Sequence, residues 1–212
     1  MLVKWVVCTV PSAQKEAFHQ AQLSWKELIH VKGFLGQMGG WDLKNPTNAC
    51  IISLWDSMES YQSFMKHEHD EIYGRSQQGE TYHSIQVHLF EKKMIMNKQH
   101  QIPFLEVVKH ATILRVTECW VKEQHIPHFL MMQKCVWNLG MEHAPGMLKG
   151  IFTHSLQLNE RFLICSLWHQ KQDYKAYETY ILPALLRWAK TYEDLQNSLD
   201  WMIQLEKDWL VG

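Results

Sequence analysis

The chain has 212 residues, 46% of them apolar, with 21 Lys and Arg against 22 Asp and Glu and a formal net charge of −1. Balanced charge without a Lys/Arg-rich run gives no electrostatic reason to expect nucleic acid or an acidic membrane as partner, and no apolar stretch reaches membrane-spanning length. Five cysteines, odd in number and without CxxC spacing, argue against a disulfide framework or a zinc site and for a reducing cytoplasm.

The opening MLVKWVVCTV is rich in β-branched and aromatic residues and predicts a strand. It lacks the length and the small-residue cleavage site of a signal peptide. Pro11 and Ser12 then open a helix that places Phe18, Gln22, Trp25 and Ile29 on one face. KGFLGQMGGWDL predicts a second strand, NPTN a turn and ACIISLW a third strand. DSMESYQSFMKHEHDEIYG predicts a helix, with Asp56 as its cap, Glu59 in the capping-box position and Gly74 as its end. TYHSIQVHLFEK alternates and predicts a fourth strand.

The pattern then repeats. Residues 33–65 align without a gap to 146–178, with eight identities, among them Gly33/Gly146, Ser53/Ser166, Trp55/Trp168 and Tyr61/Tyr174. A slide of 111 aligns the start, where Cys8/Cys119, Phe18/Phe129 and Gln22/Gln133 match. Two extra residues therefore enter the second copy, around 138–145. Each copy reads β-α-β-β-α-β, the ferredoxin-like order. The expected organisation is a first repeat over 1–93, a linker with a short helix over 94–109 that contains Pro103, and a second repeat over 110–212.

The third strand decides how the copies combine. Cys50, Ile52 and Leu54 point one way and Ile51, Ser53 and Trp55 the other, so both faces are mostly apolar and both need cover. Helices cover one face; the sheet of the second copy covers the other. The expected fold class is α+β, two ferredoxin-like repeats whose antiparallel sheets pack face to face as an α+β barrel. A single chain could close its own barrel as an internal pseudo-dimer, with a homodimer as the alternative.

The duplication also works as an internal control for the site. On the second helix Tyr61, Met65, Glu68 and Ile72 share a face, with His69 at its edge and Asp70 pointing outward. The second copy is apolar where the first carries Glu68 and His69, namely Ile181 and Leu182. An inward carboxylate or imidazole is costly unless it is paired or lines a wet cleft. His69, Glu68 and Asp70 are thus the candidate catalytic set, either in a pocket or in structural pairs. Trp5, Trp41, Tyr61, Phe64 and Met65 are the candidate pocket walls. HEHDE invites a metal reading, but His67 and His69 do not share a helical face, so no metal site is assigned.

The phrases GFLGQMGGW, IISLWDSMESYQSFM and HDEI resemble the strand–strand–helix core of the dimeric α+β barrel superfamily, which includes antibiotic-biosynthesis-type monooxygenases and haem-degrading enzymes. Over residues 1–95 the chain is more closely similar to a YdbC-like family of uncharacterised proteins. The haem-degrading branch carries an Asn on strand one, a Trp nine residues after the strand-three Trp, and a His ten residues further on. Here strand one has no Asn, and the other two places hold Phe64 and Gly74. That leaves His69 or His67 as substitute ligands and haem binding as a minor alternative. The resemblance implies a cofactor-independent oxygenase or isomerase acting on a small aromatic or polyketide-like molecule. The competing reading is a non-catalytic module for a small apolar or aromatic ligand, or a stress-related protein, so whether the chain is an enzyme stays open at this point.

Overall fold

The computed structural model describes residues 1–96 and 104–212. Pro103 and the rest of 97–103, the middle of the expected linker, lie outside the described residues. The chain divides into two compact units, Met1–Leu89 with Ile203–Gly212, and Phe90–Met202.

Unit 1 begins with strand β1 (Leu2–Thr9) and helix α1 (Lys15–Leu23), continued by a 3₁₀ segment, Ser24–His30. Strands β2 (Phe34–Asp42) and β3 (Asn48–Trp55) follow, then helices α2 (Met58–His67) and α3 (His69–Ser76) and strand β4 (Ser84–Met96). Next come α4 (Phe104–Val108), β5 (Ile113–Val121), α5 (Ile126–Met132), a π-helical turn at Gln133–Trp137, and α6 (Asn138–Glu142). The chain ends with β6 (Met147–Ser155), β7 (Arg161–Trp168), α7 (Lys171–Tyr180), α8 (Leu182–Ala189), α9 (Thr191–Asp194) and β8 (Leu195–Leu205). The hydrogen-bonded strand order, β1-β3-β2-β8-β5-β7-β6-β4, is a closed barrel. Among the described residues no helix is long and apolar enough to cross a membrane.

The registers of the two copies coincide. Lys4 pairs with Ser53 on β1–β3, and Arg115 with Ser166 on β5–β7. The same irregularity recurs between Phe34 and Gly36 on β2 and between Met147 and Lys149 on β6. The matched glycines have a steric reason. Gly33 and Gly146 sit at φ +81° and +75°, where side chains are disfavoured, and a Cβ on Gly33 would stand 2.3 Å from Ser60 Oγ. Gly33→Ala is expected to cost about 1–3 kcal/mol, read as a lowered urea midpoint at unchanged m-value.

Three local expectations change. Ser57, not Asp56, caps α2, and its Oγ accepts from the Ser60 amide at 3.1 Å. The helix does not end at Gly74; α3 runs to Ser76 and stops at Gln77, in the left-handed region at φ 52°. Ile29 is 56% exposed, and Leu28 is buried in its place. The 3₁₀ winding explains the last change, because a repeat of three residues per turn stacks Gln22, Trp25 and Leu28 rather than reaching Ile29.

Winding also differs around the insertion. Copy one has a tight 3₁₀ segment where copy two has a wide π turn at Gln133–Trp137, ahead of the expected 138–145. The two extra residues lie between the Gln22/Gln133 and Gly33/Gly146 matches, a span that in copy two contains this π turn and α6.

Candidate functional site

Unit 1 holds a cavity of about 80 Å³ between the helices and one face of its sheet. Side chains alternate along a strand, so Lys4, Val6 and Cys8 of β1 face it together. Across β1, β3 and β2 the register sets Lys4, Ser53 and Gln37 in one row. All three line the cavity and form its polar floor. The first helical segment supplies Gln22, Trp25 and Leu28, and the second supplies Phe64, His69 and Tyr73. Trp25 Nε1 donates to Gln78 Oε1 at 2.7 Å, and Gln78 Nε2 donates to Gln22 Oε1 at 2.8 Å. Those amides are therefore occupied in holding the two helical segments together. Exposed Ile85 stands at the mouth.

Among the described residues, one group in the floor lacks a hydrogen-bond acceptor and another lacks a counter-ion. Gln37 is 5% exposed, and its Nε2 is a buried donor without an acceptor among the described residues. Such a group costs about 1–3 kcal/mol unless something accepts from it. Lys4 enters no ion pair among the described residues; its Nζ lies 5.6 Å from the centre of the Tyr61 ring. Burial pushes its ammonium down to about 8 from an ordinary 10.5. Burial also pushes the neighbouring Cys8 thiol up to about 12, so that thiol is uncharged at neutral pH and cannot serve as the counter-ion.

His69 lines the cavity, stacks on Tyr73 with centroids 5.8 Å apart, and meets Trp25 at 5.5 Å. Its Nδ1 lies 2.9 Å from Asp70 Oδ1. A carboxylate only accepts, so Nδ1 carries the proton and Nε2 of the neutral ring is the acceptor. Asp70 itself is 95% exposed in its side chain. Glu68 departs from the inward position expected of it: it is exposed and outside the cavity. The reason is a break. Glu68, at φ −126°, separates α2 from α3 and resets the helical phase, which turns Glu68 out and His69 in.

Of the candidate walls, Phe64 lines the cavity and the other four do not. Trp5 is buried on the opposite face of β1 from Lys4. Trp41 packs on Phe18 and Trp209 at 5.8 and 5.4 Å, under Lys15. Tyr61 packs edge-on against Trp55, and Met65 packs at the margin of the same cluster. Lys4, Gln37 and Gln78 were not anticipated. A lysine in the middle of an apolar strand, matched by Arg115 at the same place in the repeat, was the available signal.

Unit 2 has its own cavity, about 230 Å³, lined by Arg115, Thr117, Cys119, Gln133, Tyr177 and Asp200 among others. Here the cation is paired. Arg115 Nη2 donates to Asp200 Oδ1 at 2.6 Å, and Thr117 Oγ1 donates to the same oxygen at 2.7 Å. Burial acts against the Arg115 charge, but Asp200, Tyr174 and Tyr177 outweigh it and hold the guanidinium above its ordinary value. Among the described residues no three His, Cys, Asp or Glu side chains gather as metal ligands.

A closed antiparallel barrel carrying paired helices over each half defines the class, an α+β protein of the monooxygenase-like ferredoxin fold. A monooxygenase candidate from Fusobacterium nucleatum superposes with a TM-score of 0.79 at 11% identity, covering 100% of this chain and 94% of that one. LmHde, a heme-degrading enzyme from Listeria monocytogenes, superposes at 0.52 with 12% identity, covering 96% and 99%. The chain belongs to the YdbC family: it is 37% identical over 122 residues to "Uncharacterized protein YdbC" of Bacillus subtilis (strain 168), 57% of this chain and 96% of that protein. The family described as Domain of unknown function (DUF4937) matches residues 2–90.

The haem reading can be tested on the cavity. An engineered cavity of about 150 Å³ takes benzene. The unit-1 cavity, at about 80 Å³, has no room for a porphyrin beside His69, and His67 is exposed and outside it. The residues around the unit-1 cavity do not fit haem.

Proposed function

We propose that the chain is a cofactor-independent, monooxygenase-like enzyme that acts on a small, single-ring aromatic or enolisable molecule in the unit-1 cavity. The observation that carries this reading is the convergence on one aromatic-walled cavity of an ammonium without a counter-ion and a buried amide without an acceptor, among the described residues, together with an imidazole. At about 80 Å³ the cavity encloses less than one ring, so the ring of such a molecule lies at the mouth, and a fused polycycle is disfavoured.

The roles follow from the geometry. With its ammonium brought down to about 8, part of Lys4 is free amine near neutral pH and can take a proton from an acidic C–H or O–H. The resulting ammonium then faces the new oxyanion, and Gln37 Nε2 donates a second hydrogen bond to it. His69 Nε2 offers an alternative base, with Asp70 positioning the ring. An electron-rich enolate or phenolate can reduce dioxygen by itself. The balance is R₂CH₂ + O₂ → R₂C=O + H₂O, with every electron supplied by substrate. The cytoplasm is the compartment we propose, supported by five unpaired cysteines.

Oxygen uptake with a panel of single-ring enolisable ketones and hydroxyarenes under ¹⁸O₂ tests the reading. The expected result is enzyme-dependent uptake with label in the product, reduced at least 10-fold by Lys4→Met. Binding without uptake across the panel would leave the non-catalytic module, which the small cavity and the outward Glu68 favour.

A further inference from the structure

The two copies share a backbone register, so their cavities can be compared residue by residue. Phe90 pairs with Ser155 on β4–β6, and Ile203 pairs with Asp42 on β2–β8. Asp42 and Ser155 are repeat equivalents, and therefore so are Phe90 and Ile203. Three residues earlier on each strand stand Val87 and Asp200. Two residues before those, on the same strand face, Ile85 and Ser198 each line their own cavity.

The comparison shows three differences around the cation. Unit 2 keeps a cation, Arg115, and supplies its anion, Asp200, which also accepts from Thr117. Unit 1 keeps the cation as Lys4 but has Val87 in the place of the carboxylate and Val6 in the place of the threonine. It also adds a donor: Gln37, on the far side of Ser53 from Lys4, stands where the second copy has Gly150. Its Nε2 has no acceptor among the described residues. Relative to unit 2, unit 1 lacks both the carboxylate and the hydroxyl that accept from the cation, and it carries one more donor. Lys4 is partly buried, and holding its charge from water without an anion beside it is unfavourable, so an anionic ligand offsets that cost on binding.

We propose that the unit-1 cavity selects a small organic anion, an aryl carboxylate or phenolate, whose charged oxygen accepts from Lys4 and Gln37 and stands in for the carboxylate that Asp200 supplies in unit 2. The proposal rests on the reading of that cavity as the ligand site and adds the charge of its occupant. The small volume holds the anionic head, and the ring extends toward Trp25 and Ile85 at the mouth. The unit-2 cavity, with its cation already neutralised, does not select for negative charge.

Reciprocal swaps test this. Titration calorimetry on the full chain uses benzoate, its neutral isostere benzamide, and acetate. Wild type is expected to bind one benzoate at least 10-fold more tightly than benzamide, with acetate between them or weaker as the ring's share dictates. Val87→Asp places a carboxylate at the position Asp200 holds in unit 2 and is expected to weaken benzoate at least 10-fold with benzamide unchanged. Asp200→Val is expected to raise the benzoate stoichiometry from one to two. Thermal melts report whether each variant is folded, and Lys4→Met replaces Val87→Asp if the latter is not. Equal binding of benzoate and benzamide, or benzoate binding indifferent to Val87→Asp and Lys4→Met, overturns the anion proposal and leaves the cavity as a ligand site. No binding of any probe to wild type overturns both.

Discussion

Lys4→Met is expected to raise the melting temperature by several degrees while abolishing ligand binding. In the folded chain the Lys4 ammonium sits near a pKa of about 8, and burial is the cause. The unfolded chain restores the ordinary 10.5. Below about pH 8 both states hold the proton, and the folded state bears the full desolvation penalty. Between about 8 and 10.5 the unfolded chain holds a proton that the folded chain has released, so this residue's penalty fades as pH rises. Methionine keeps the stem's packing without the charge. The variant should therefore be more stable than wild type by about 1–3 kcal/mol at pH 7, the figure reduced for partial exposure of the side chain. The gain should shrink as pH rises through that window. Thermal unfolding followed by circular dichroism at pH 7 and at pH 10 checks both parts. A lysine that destabilises its own fold is the trade expected where a site is kept for function.

Glu118→Ala is expected to cost about 3–5 kcal/mol. Glu118 on β5 and Arg161 on β7 are 3% and 6% exposed, and Arg161 Nε donates to Glu118 Oε1. The guanidinium also lies over the Trp120 and Phe90 rings, at 5.2 and 5.7 Å from their centres. Burial pushes the Glu118 carboxyl above its ordinary value, with Arg161 opposing that shift. Removing Glu118 takes the carboxylate from a buried guanidinium, which is the expensive half of breaking a buried pair. Pairing Glu118→Leu with Arg161→Met should recover most of the loss, because no charge is left behind. Urea unfolding of the three chains separates these outcomes. Equal losses in the single and double variants would mean that the loss comes from packing and not from charge.

Much of the fold was legible because the chain writes its own comparison. Trp55/Trp168, Ser53/Ser166 and Gly33/Gly146 recur at one spacing, and the two apolar faces of CIISLW demand cover on both sides. What pattern could not give was helical phase. A uniform rotation of 100° per residue puts Ile29 and Glu68 inside, whereas the 3₁₀ segment and the break at Glu68 put Leu28 and His69 there. Of the candidate site residues read from the sequence, His69 and Phe64 line the unit-1 cavity. Its polar floor comes from three strands distant in sequence, Lys4, Ser53 and Gln37, and becomes one row only through register. Strand periodicity marks which residues share a face. It does not mark which cation lacks a facing carboxylate, because the position equivalent to Asp200 is Val87, 83 positions from Lys4.

The contrast between Val87 and Asp200 has a consequence for how such a protein can evolve. In a barrel assembled from two identical chains, one codon specifies both sites, and every substitution is made twice. With both halves in a single reading frame, a carboxylate can be lost from one cavity while its counterpart keeps the other neutral. The descendants of a duplicated gene can then explore new ligands on one side with the second side held as an unchanged scaffold.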